Sequence, residues 1–226
     1  MKTKACIFDL DGVLVDTAKY HFLAWKRLAD KLKIKFTEKD NERLKGVSRM
    51  KSLEIILELG NLNISKDLKD KYAEQKNGWY KEYINRMTPE EILPGSIEFL
   101  GEIRNAGILT GIGSASRNTP LILEKTGLKD FFDAVADGNI ISKAKPDPEI
   151  FVKISDMLGI EPSGCAVFED AIAGIRAALN AGMLCIGIGS EEILGEAHYV
   201  VHGLNQMSLE KLEEIEKLSG NEQTIQ

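Results

Sequence analysis

Apolar and polar positions along the chain follow two different patterns. After an apolar run at residues 4–10, apolar positions through residue 90 recur at helical spacing, and one stripe consists of Tyr20, Ala24, Leu28 and Leu32. From about residue 96 onward, helical patterns alternate with short apolar runs that are typical of buried strands. The chain is therefore predicted to form one strand, then a group of helices, then repeated helix–strand units.

The predicted strands are short apolar runs bounded by polar residues or glycine. They cover residues 4–10, 108–116, 131–137, 164–170, 183–189 and 198–201. The predicted helices cover residues 16–32, 37–46, 48–60, 65–87, 96–107, 117–128, 147–159, 171–182 and 207–220, and residues 221–226 are predicted to form a loose tail. Predicted helix caps are Asp16 or Thr17, Thr37 and Ser48, with stops at Gly46 and Gly60.

Repeated helix–strand alternation predicts an α/β fold with a doubly wound (Rossmann-like) parallel sheet and helices on both faces. The helical group interrupts this pattern after the first strand and is too long for an ordinary connection. We therefore expect a core domain at residues 1–16 and 93–226 and an inserted α-helical cap domain at residues 17–92.

Composition and charge exclude several classes of protein. The chain is 43% hydrophobic and 28% charged, as in ordinary globular domains, and its net charge of −6 offers no basic field for nucleic acid. No apolar run approaches the roughly 20 residues of a membrane span, and the first run is too short for a signal peptide. A cytoplasmic monomer is expected, without nucleic-acid or membrane partners.

Cys6, Cys165 and Cys185 lie in apolar runs and are predicted to be buried thiols.

Polar side chains follow three of the predicted strands. Asp9 and Asp11 follow the first, Ser114 and Ser116 another, and Glu169 with Asp170 a third. Because parallel strands present their carboxyl ends at one edge of a sheet, these groups are expected to meet there, and Lys145 lies in a loop predicted to reach the same edge. This convergence predicts an active site.

The grouped carboxylates indicate a particular chemistry. Several ionised carboxylates require a compensating cation, and Mg²⁺ prefers such oxygen ligands. A carboxylate assisted by Mg²⁺ can attack phosphorus, while a second acid protonates the leaving oxygen and later deprotonates the incoming alcohol. Asp9 and Asp11 can divide these tasks because residues two apart in an extended chain point the same way.

Four motifs carry a family resemblance: "DLDGVLVDT", "SAS", "KP" and "FEDA" occur in this order, with the helical insert after the first. The chain resembles the haloacid dehalogenase superfamily over essentially its whole length. The resemblance implies a nucleophile at Asp9, a general acid/base at Asp11 and a phosphate clamp of Ser114 and Lys145. It also implies a Mg²⁺ site formed by Asp9, Asp11, Glu169 and Asp170. Dehalogenating members lack the second acid, so Asp11 makes the chain similar to the phosphoryl-transfer branch.

The insert is similar to that of phosphoglucomutases in this superfamily, through "DTAKYHFLAW", "LKGVSR" and "QKNGWY". That resemblance implies catalytic roles for Thr17 and His21 and a clasp by Arg49 on the phosphate that is not transferred. Further implied substrate contacts are Trp25, Lys45, Gly46, Val47, Ser48, Ser52, Lys76, Ala115, Ser116, Arg117 and Asn118. Arg117 stands where a lysine also occurs in the family, and either cation can face a phosphate.

The activity implied is interconversion of β-D-glucose 1-phosphate and glucose 6-phosphate, with β-D-glucose 1,6-bisphosphate as intermediate and primer. Two alternatives stay open: a hexose-phosphate phosphatase with the same core, and a silent phosphosugar-binding regulator.

Trp79, Tyr80 and Tyr83 are predicted to be packing residues rather than ligands.

Overall fold

Six parallel strands form the sheet at the centre of the protein. The computed structural model describes residues 2–44 and 47–222, the last three by their backbone alone. The strands are β1 (Ala5–Phe8), β2 (Leu109–Gly113), β3 (Ala134–Ala136), β4 (Cys165–Glu169), β5 (Leu184–Ile188) and β6 (Tyr199–Val201). Their order is β3-β2-β1-β4-β5-β6, so β1 lies between β2 and β4 and the connections cross over. The predicted fold class is confirmed.

The α-helices of the described residues lie close to the predicted segments. They are α1 (Ala18–Lys31), α2 (Glu38–Asn41), α3 (Arg49–Leu59), α4 (Lys66–Ile84), α5 (Ser96–Asn105), α6 (Thr119–Thr126), α7 (Glu149–Leu158), α8 (Ile172–Asn180), α9 (Glu191–Leu194) and α10 (Leu209–Glu222). Short 3₁₀ turns occur at Glu42–Leu44, Pro89–Glu91, Lys129–Phe131, Pro162–Gly164 and Leu204–Gln206.

Alternate residues of β1 supply the cores on the two sides of the sheet. Cys6 and Phe8 join a buried cluster with residues of α5, α6 and α10, whereas Ala5 and Ile7 join one with α7 and α8. Burial on both faces explains why the strands read as continuous apolar runs.

The inserted helices α1 to α4 have an apolar cluster of their own, which includes Trp25, Leu28, Leu53 and Ile56. The two chain segments that connect them to the sheet lie side by side. Val15 forms an isolated antiparallel bridge with Ile92, and the Asp16 N–H donates to the Glu91 carbonyl at 2.8 Å. The division into two domains at these segments remains a prediction.

Three local predictions were wrong or incomplete. The helix expected at residues 37–46 begins with a capping box of Thr37 and Asp40, but it tightens to a 3₁₀ turn after Asn41. Gly46, the predicted stop, lies outside the described residues. Helix α10 continues two residues into the predicted loose tail, and the four-residue helix α9 was not foreseen.

Two simpler expectations can also be compared with the fold. Cys6, Cys165 and Cys185 are free and buried in β1, β4 and β5, as predicted. Among the described residues, every helix is too short or too polar to pass through a lipid bilayer.

Gly95 provides a test of the packing between α5 and the C-terminal region. Its φ is +84°, and a Cβ there would lie 2.1 Å from the Asn205 backbone nitrogen. Gly95→Ala should lower the free energy of unfolding by about 1–3 kcal/mol because the backbone would be strained and crowded. Gly101→Ala is the matched control within α5, where the added Cβ meets no atom within 4 Å. It should stabilise by about 0.5–1 kcal/mol, and equal effects in urea unfolding would contradict this packing.

Candidate active site

Asp9, Lys145 and Glu169 form a buried ionic group at the carboxyl ends of β1 and β4. Asp9 directly follows β1, and its N–H donates to the Phe168 carbonyl at 2.9 Å. The Lys145 Nζ donates to Asp9 Oδ1 at 2.6 Å and also to Glu169 Oε1. The second oxygen of Glu169 accepts the Ala171 N–H at 2.9 Å. Lys145 therefore fixes Asp9 relative to the neighbouring strand.

The electrostatics of this group follow from its burial. Burial by itself would lower the pKa of Lys145, but the charges of Asp9 and Glu169 raise it above its usual value. Burial raises the pKa of Glu169 to about 7, against the opposing effect of Lys145. Lys145 is consequently a permanent cation that faces two carboxylates.

Asp11 is held on the connection to the inserted helices. The Thr17 hydroxyl donates to Asp11 Oδ1 from the residue that precedes α1. Burial, followed by the charge of Asp9, raises the pKa of Asp11 to about 6. This shift favours the protonated form, as a general acid requires.

Gly12 brings Asp170 close to the Asp9–Asp11 loop. Its φ is +86°, and a Cβ would lie 2.2 Å from Asp170 Oδ2. Only glycine combines this backbone conformation with such a close approach.

These acidic residues can be tested for their fit to Mg²⁺. Asp9, Asp11 and Asp170 line the cavity described below, whereas Glu169 lies behind it with Lys145. Within the described part of the chain, no group of three or more acidic, histidine or cysteine side chains is arranged to hold a metal ion. Mg²⁺ commonly uses only one or two carboxylates and completes its shell with water and phosphate. The excess of carboxylates over Lys145 thus fits a divalent cation, and the ligand roles remain a prediction.

The inserted helices contribute a wall of aromatic and basic side chains. The Lys76 Nζ lies 3.1 Å from His21 Nδ1 and 4.6 Å from the ring centres of both Trp25 and Tyr80. Burial, followed by the charges of Lys76 and Arg49, lowers the pKa of His21.

Two arginines supply positive charge nearby. Arg49 begins α3, and its Nη1 lies 3.5 Å from Glu74 Oε2. The Arg117 Nε donates to the Gly138 carbonyl at 3.1 Å. Burial, partly offset by Glu74, lowers the pKa of Arg49, and the charge of Arg117 adds to this lowering. Two guanidinium groups that are close enough for their charges to interact can together bind a phosphate group.

The loop after β2 is organised by its own hydrogen bonds. Ser114 Oγ accepts the Ser116 N–H at 3.1 Å, and Ser116 Oγ accepts the Asn118 N–H at 3.2 Å. The Asn118 side chain donates to Asn77 Oδ1 at 3.0 Å, which links this loop to α4.

A cavity of about 290 Å³ joins the sheet edge to the inserted helices. Its lining includes most of the predicted site: Asp9, Asp11, His21, Trp25, Val47, Ser48, Arg49, Ser52, Lys76, Ala115, Ser116, Arg117, Asn118 and Asp170. Four predicted residues are buried behind this surface: Thr17, Ser114, Lys145 and Glu169. Lys45 and Gly46 lie outside the described residues.

The sequence did not predict part of the lining, which includes the polar residues Asn41, Asn77, Tyr80, Ser142 and Lys143 and several apolar or small residues. Tyr80 was expected only to pack, and it does join the sheet's apolar cluster, but its side chain also borders the cavity. The spacing from Lys76 to Tyr80 was the available signal, because residues four apart share one face of a helix.

This arrangement of a doubly wound sheet, a carboxylate after β1 and a lysine-linked acidic edge defines the class of protein. A haloacid dehalogenase-like hydrolase family model matches residues 3–182, and the chain belongs to this family.

Individual relatives are consistent with that assignment. The chain is 44% identical to a β-phosphoglucomutase of Bacillus subtilis, over 93% of this chain and 94% of the relative. It is 30% identical to a phosphorylated carbohydrates phosphatase of Thermotoga maritima, over 89% and 87% of the two chains. A crystal structure of β-phosphoglucomutase from Clostridium difficile superposes with a TM-score of 0.91 at 41% identity, and the match covers 99% of this chain and 100% of that one.

Lys145 can be tested as the buried counter-charge. Lys145→Met should lower the free energy of unfolding by about 3–5 kcal/mol, because two buried carboxylates would lose their cation. Adding Glu169→Gln should recover part of that loss, since one of the uncompensated charges is then removed. Urea unfolding measures both effects.

Lys143→Met is the matched control for this experiment, because the Lys143 side chain is 70% exposed. It should change stability by less than about 0.5 kcal/mol. A Lys145→Met variant that behaves like this control would show that Lys145 does not stabilise the buried acids.

Proposed function

We propose that the protein is a β-phosphoglucomutase that interconverts β-D-glucose 1-phosphate and glucose 6-phosphate. The observation that carries the proposal is the cavity that joins Asp9 and Asp11 to Arg49 and Arg117. A mutase acting on a bisphosphate needs a reacting site and a separate site for the second phosphate. Asp9 and Asp11 supply the groups for the reacting site, and Arg49 and Arg117 supply those for the second phosphate.

The reaction proceeds through an aspartyl phosphate on Asp9. An Asp9 carboxylate oxygen bonds to phosphorus of β-D-glucose 1,6-bisphosphate, and the bond from phosphorus to the sugar oxygen breaks. Asp11 gives its proton to the departing sugar oxygen. The glucose monophosphate formed in this way leaves. Another glucose monophosphate then binds, loses a hydroxyl proton to Asp11, and takes the phosphoryl group from Asp9 on that oxygen. The bisphosphate is thereby regenerated and serves as both intermediate and primer.

Bound Mg²⁺ would be held by Asp9 and Asp170, and it would neutralise negative charge on the phosphoryl oxygens during transfer. The chain's own residues prepare this edge. Lys145 orients Asp9, Thr17 orients Asp11, and Glu169 holds Lys145 from behind.

The inserted helices and the loop after β2 complete the substrate site. Arg49 and Arg117 bind the phosphate that stays on the sugar, and His21 guides the proton exchange at Asp11. Further contacts to the sugar phosphate come from the remaining lining residues: Trp25, Val47, Ser48, Ser52, Lys76, Ala115, Ser116 and Asn118.

The choice between mutase and phosphatase depends on what reaches the phosphorylated Asp9. Water produces hydrolysis, whereas a held sugar hydroxyl produces transfer. Good positioning of the sugar hydroxyl lowers the barrier to phosphoryl transfer by roughly 7–11 kcal/mol, which is enough to overcome the abundance of water. The Asn77–Asn118 bond and the buried aromatic wall support a site in which the inserted helices cover the sheet edge.

We further propose that the protein acts as a cytoplasmic monomer on small sugar phosphates. The net charge of −6 supports the absence of a nucleic-acid partner. A phosphosugar-binding regulator is not favoured, because binding alone requires neither a nucleophile nor an acid.

A product assay tests the activity. With Mg²⁺ and a trace of β-D-glucose 1,6-bisphosphate, β-D-glucose 1-phosphate should be converted to glucose 6-phosphate with little free phosphate. Coupled detection of glucose 6-phosphate and a phosphate assay on the same samples measure the product ratio.

Arg49→Ala is the informative variant for this assay. It should reduce mutase flux, because the phosphate that stays on the sugar loses its guanidinium partner. Free phosphate as the main product of the unmodified protein would instead establish the hexose-phosphate phosphatase.

A further inference from the structure

Asn77 and Asn118 form a buried side-chain contact between the inserted helices and the loop after β2. The Asn118 Nδ2 donates to Asn77 Oδ1 at 3.0 Å, and the two residues are 7% and 5% exposed. One lies in α4 and the other directly before α6, and both border the cavity. Buried amides are costly unless they are hydrogen-bonded, so this contact depends on how α4 and the loop lie against each other.

The Asn118 side chain is not used to stabilise its own helix. Asn118 is the N-cap residue of α6, a position where asparagine commonly accepts an N–H of the first turn. In the part of the chain that the structure describes, Asn118 forms no side-chain cap bond, and its amide donates to Asn77 instead. The side chain thus serves the contact with α4.

The backbone around Asn118 is fixed by the loop itself. The Asn118 N–H donates to Ser116 Oγ at 3.2 Å, and the Thr119 hydroxyl donates to the Ser116 carbonyl at 3.0 Å. These bonds fix the backbone from which the Asn118 side chain extends, and the bond to Asn77 fixes its amide. Loss of the Asn77 amide would therefore release the Asn118 amide and leave the loop bonds in place.

The position of Asn118 is suited to contact with a phosphate. Asn118 follows Arg117, and both residues line the cavity. It also stands at the N-terminus of the eight-residue helix α6, where the helix dipole favours anions. An amide nitrogen carries two N–H groups, so Asn118 Nδ2 can donate to Asn77 and to a phosphate oxygen at the same time.

We propose that Asn77 is a positioning residue that holds the Asn118 amide toward the phosphate that stays on the sugar. This inference rests on the proposed function, which places that phosphate beside Arg49 and Arg117. Asn77 acts through Asn118 and does not need to touch the substrate. Because Asn77 belongs to the inserted helices, the full set of phosphate contacts forms only when α4 lies against the loop after β2.

Asn77→Ala tests this role, and Asn85→Ala is the matched control. Asn85 is the exposed C-cap residue of α4 and is not part of the cavity lining. With β-D-glucose 1-phosphate as substrate, Asn77→Ala should lower kcat/KM roughly 2- to 15-fold, the value of one neutral hydrogen bond. Asn85→Ala should leave kcat/KM unchanged.

The separate values of KM and kcat distinguish positioning from a structural defect. A weaker contact to the bound phosphate should raise KM for β-D-glucose 1-phosphate and change kcat by less than about twofold. A lower kcat with an unchanged KM would place the effect on the reacting edge of the sheet, and the proposed role of Asn77 would then be wrong.

A double-mutant cycle tests whether Asn77 acts through Asn118. In an Asn118→Ala background, adding Asn77→Ala should change kcat/KM by less than about twofold, because the amide that Asn77 positions is already absent. A further loss as large as that of Asn77→Ala alone would show an independent action and would overturn the proposal.

The unmodified protein separates this inference from the mutase assignment. If it converts β-D-glucose 1-phosphate and Asn77→Ala does so equally well, the role of Asn77 alone is rejected. If the unmodified protein forms no glucose 6-phosphate, the proposed function is rejected and the inference about Asn77 with it.

Discussion

The ammonium group of Lys145 lies between the carboxylates of Asp9 and Glu169, and the active edge of the sheet depends on this buried contact. β1 and β4 are adjacent parallel strands, so their carboxyl ends bring two acids together without solvent to separate them. A lysine from the loop before α7 provides the compensating charge. The same contact fixes the orientation of Asp9, which carries the proposed chemistry.

The inserted helices convert this edge into an enclosed site. Their connections run side by side at Val15 and Ile92, so the helices are placed directly above the carboxyl ends of the strands. Thr17, at the start of α1, bonds to Asp11, while Asn77 in α4 bonds to Asn118 in the loop after β2. The acid and the phosphate-facing loop are thus each linked to the insert, which connects the position of the helices to the geometry of the reaction.

Much of this organisation could be predicted from sequence, because it follows from periodicity. Buried parallel strands produce apolar runs, and their ends can be located from the polar residues that follow, as at Asp9 and Glu169. The depth at which a side chain is buried cannot be predicted in this way, since a motif does not reveal whether the side chain faces the cavity or lies behind it. Ser114 and Thr17 were predicted as site residues on an equal footing with Ser116 and His21, yet both are buried behind the lining. Tyr80 shows the converse, because an aromatic residue at helical spacing has the same pattern whether it fills a core or borders a cavity.

The most direct measurement is a rapid-quench single turnover with β-D-glucose 1,6-bisphosphate that carries a radioactive phosphoryl group. A hydroxylamine-sensitive label should appear on the peptide that contains Asp9, and β-D-glucose 1-phosphate should remove it as labelled bisphosphate. Asp9→Asn should fold and remain unlabelled. Turnover by the unmodified protein without any label on Asp9, or with the label on another residue, would contradict the role of Asp9 as the nucleophile.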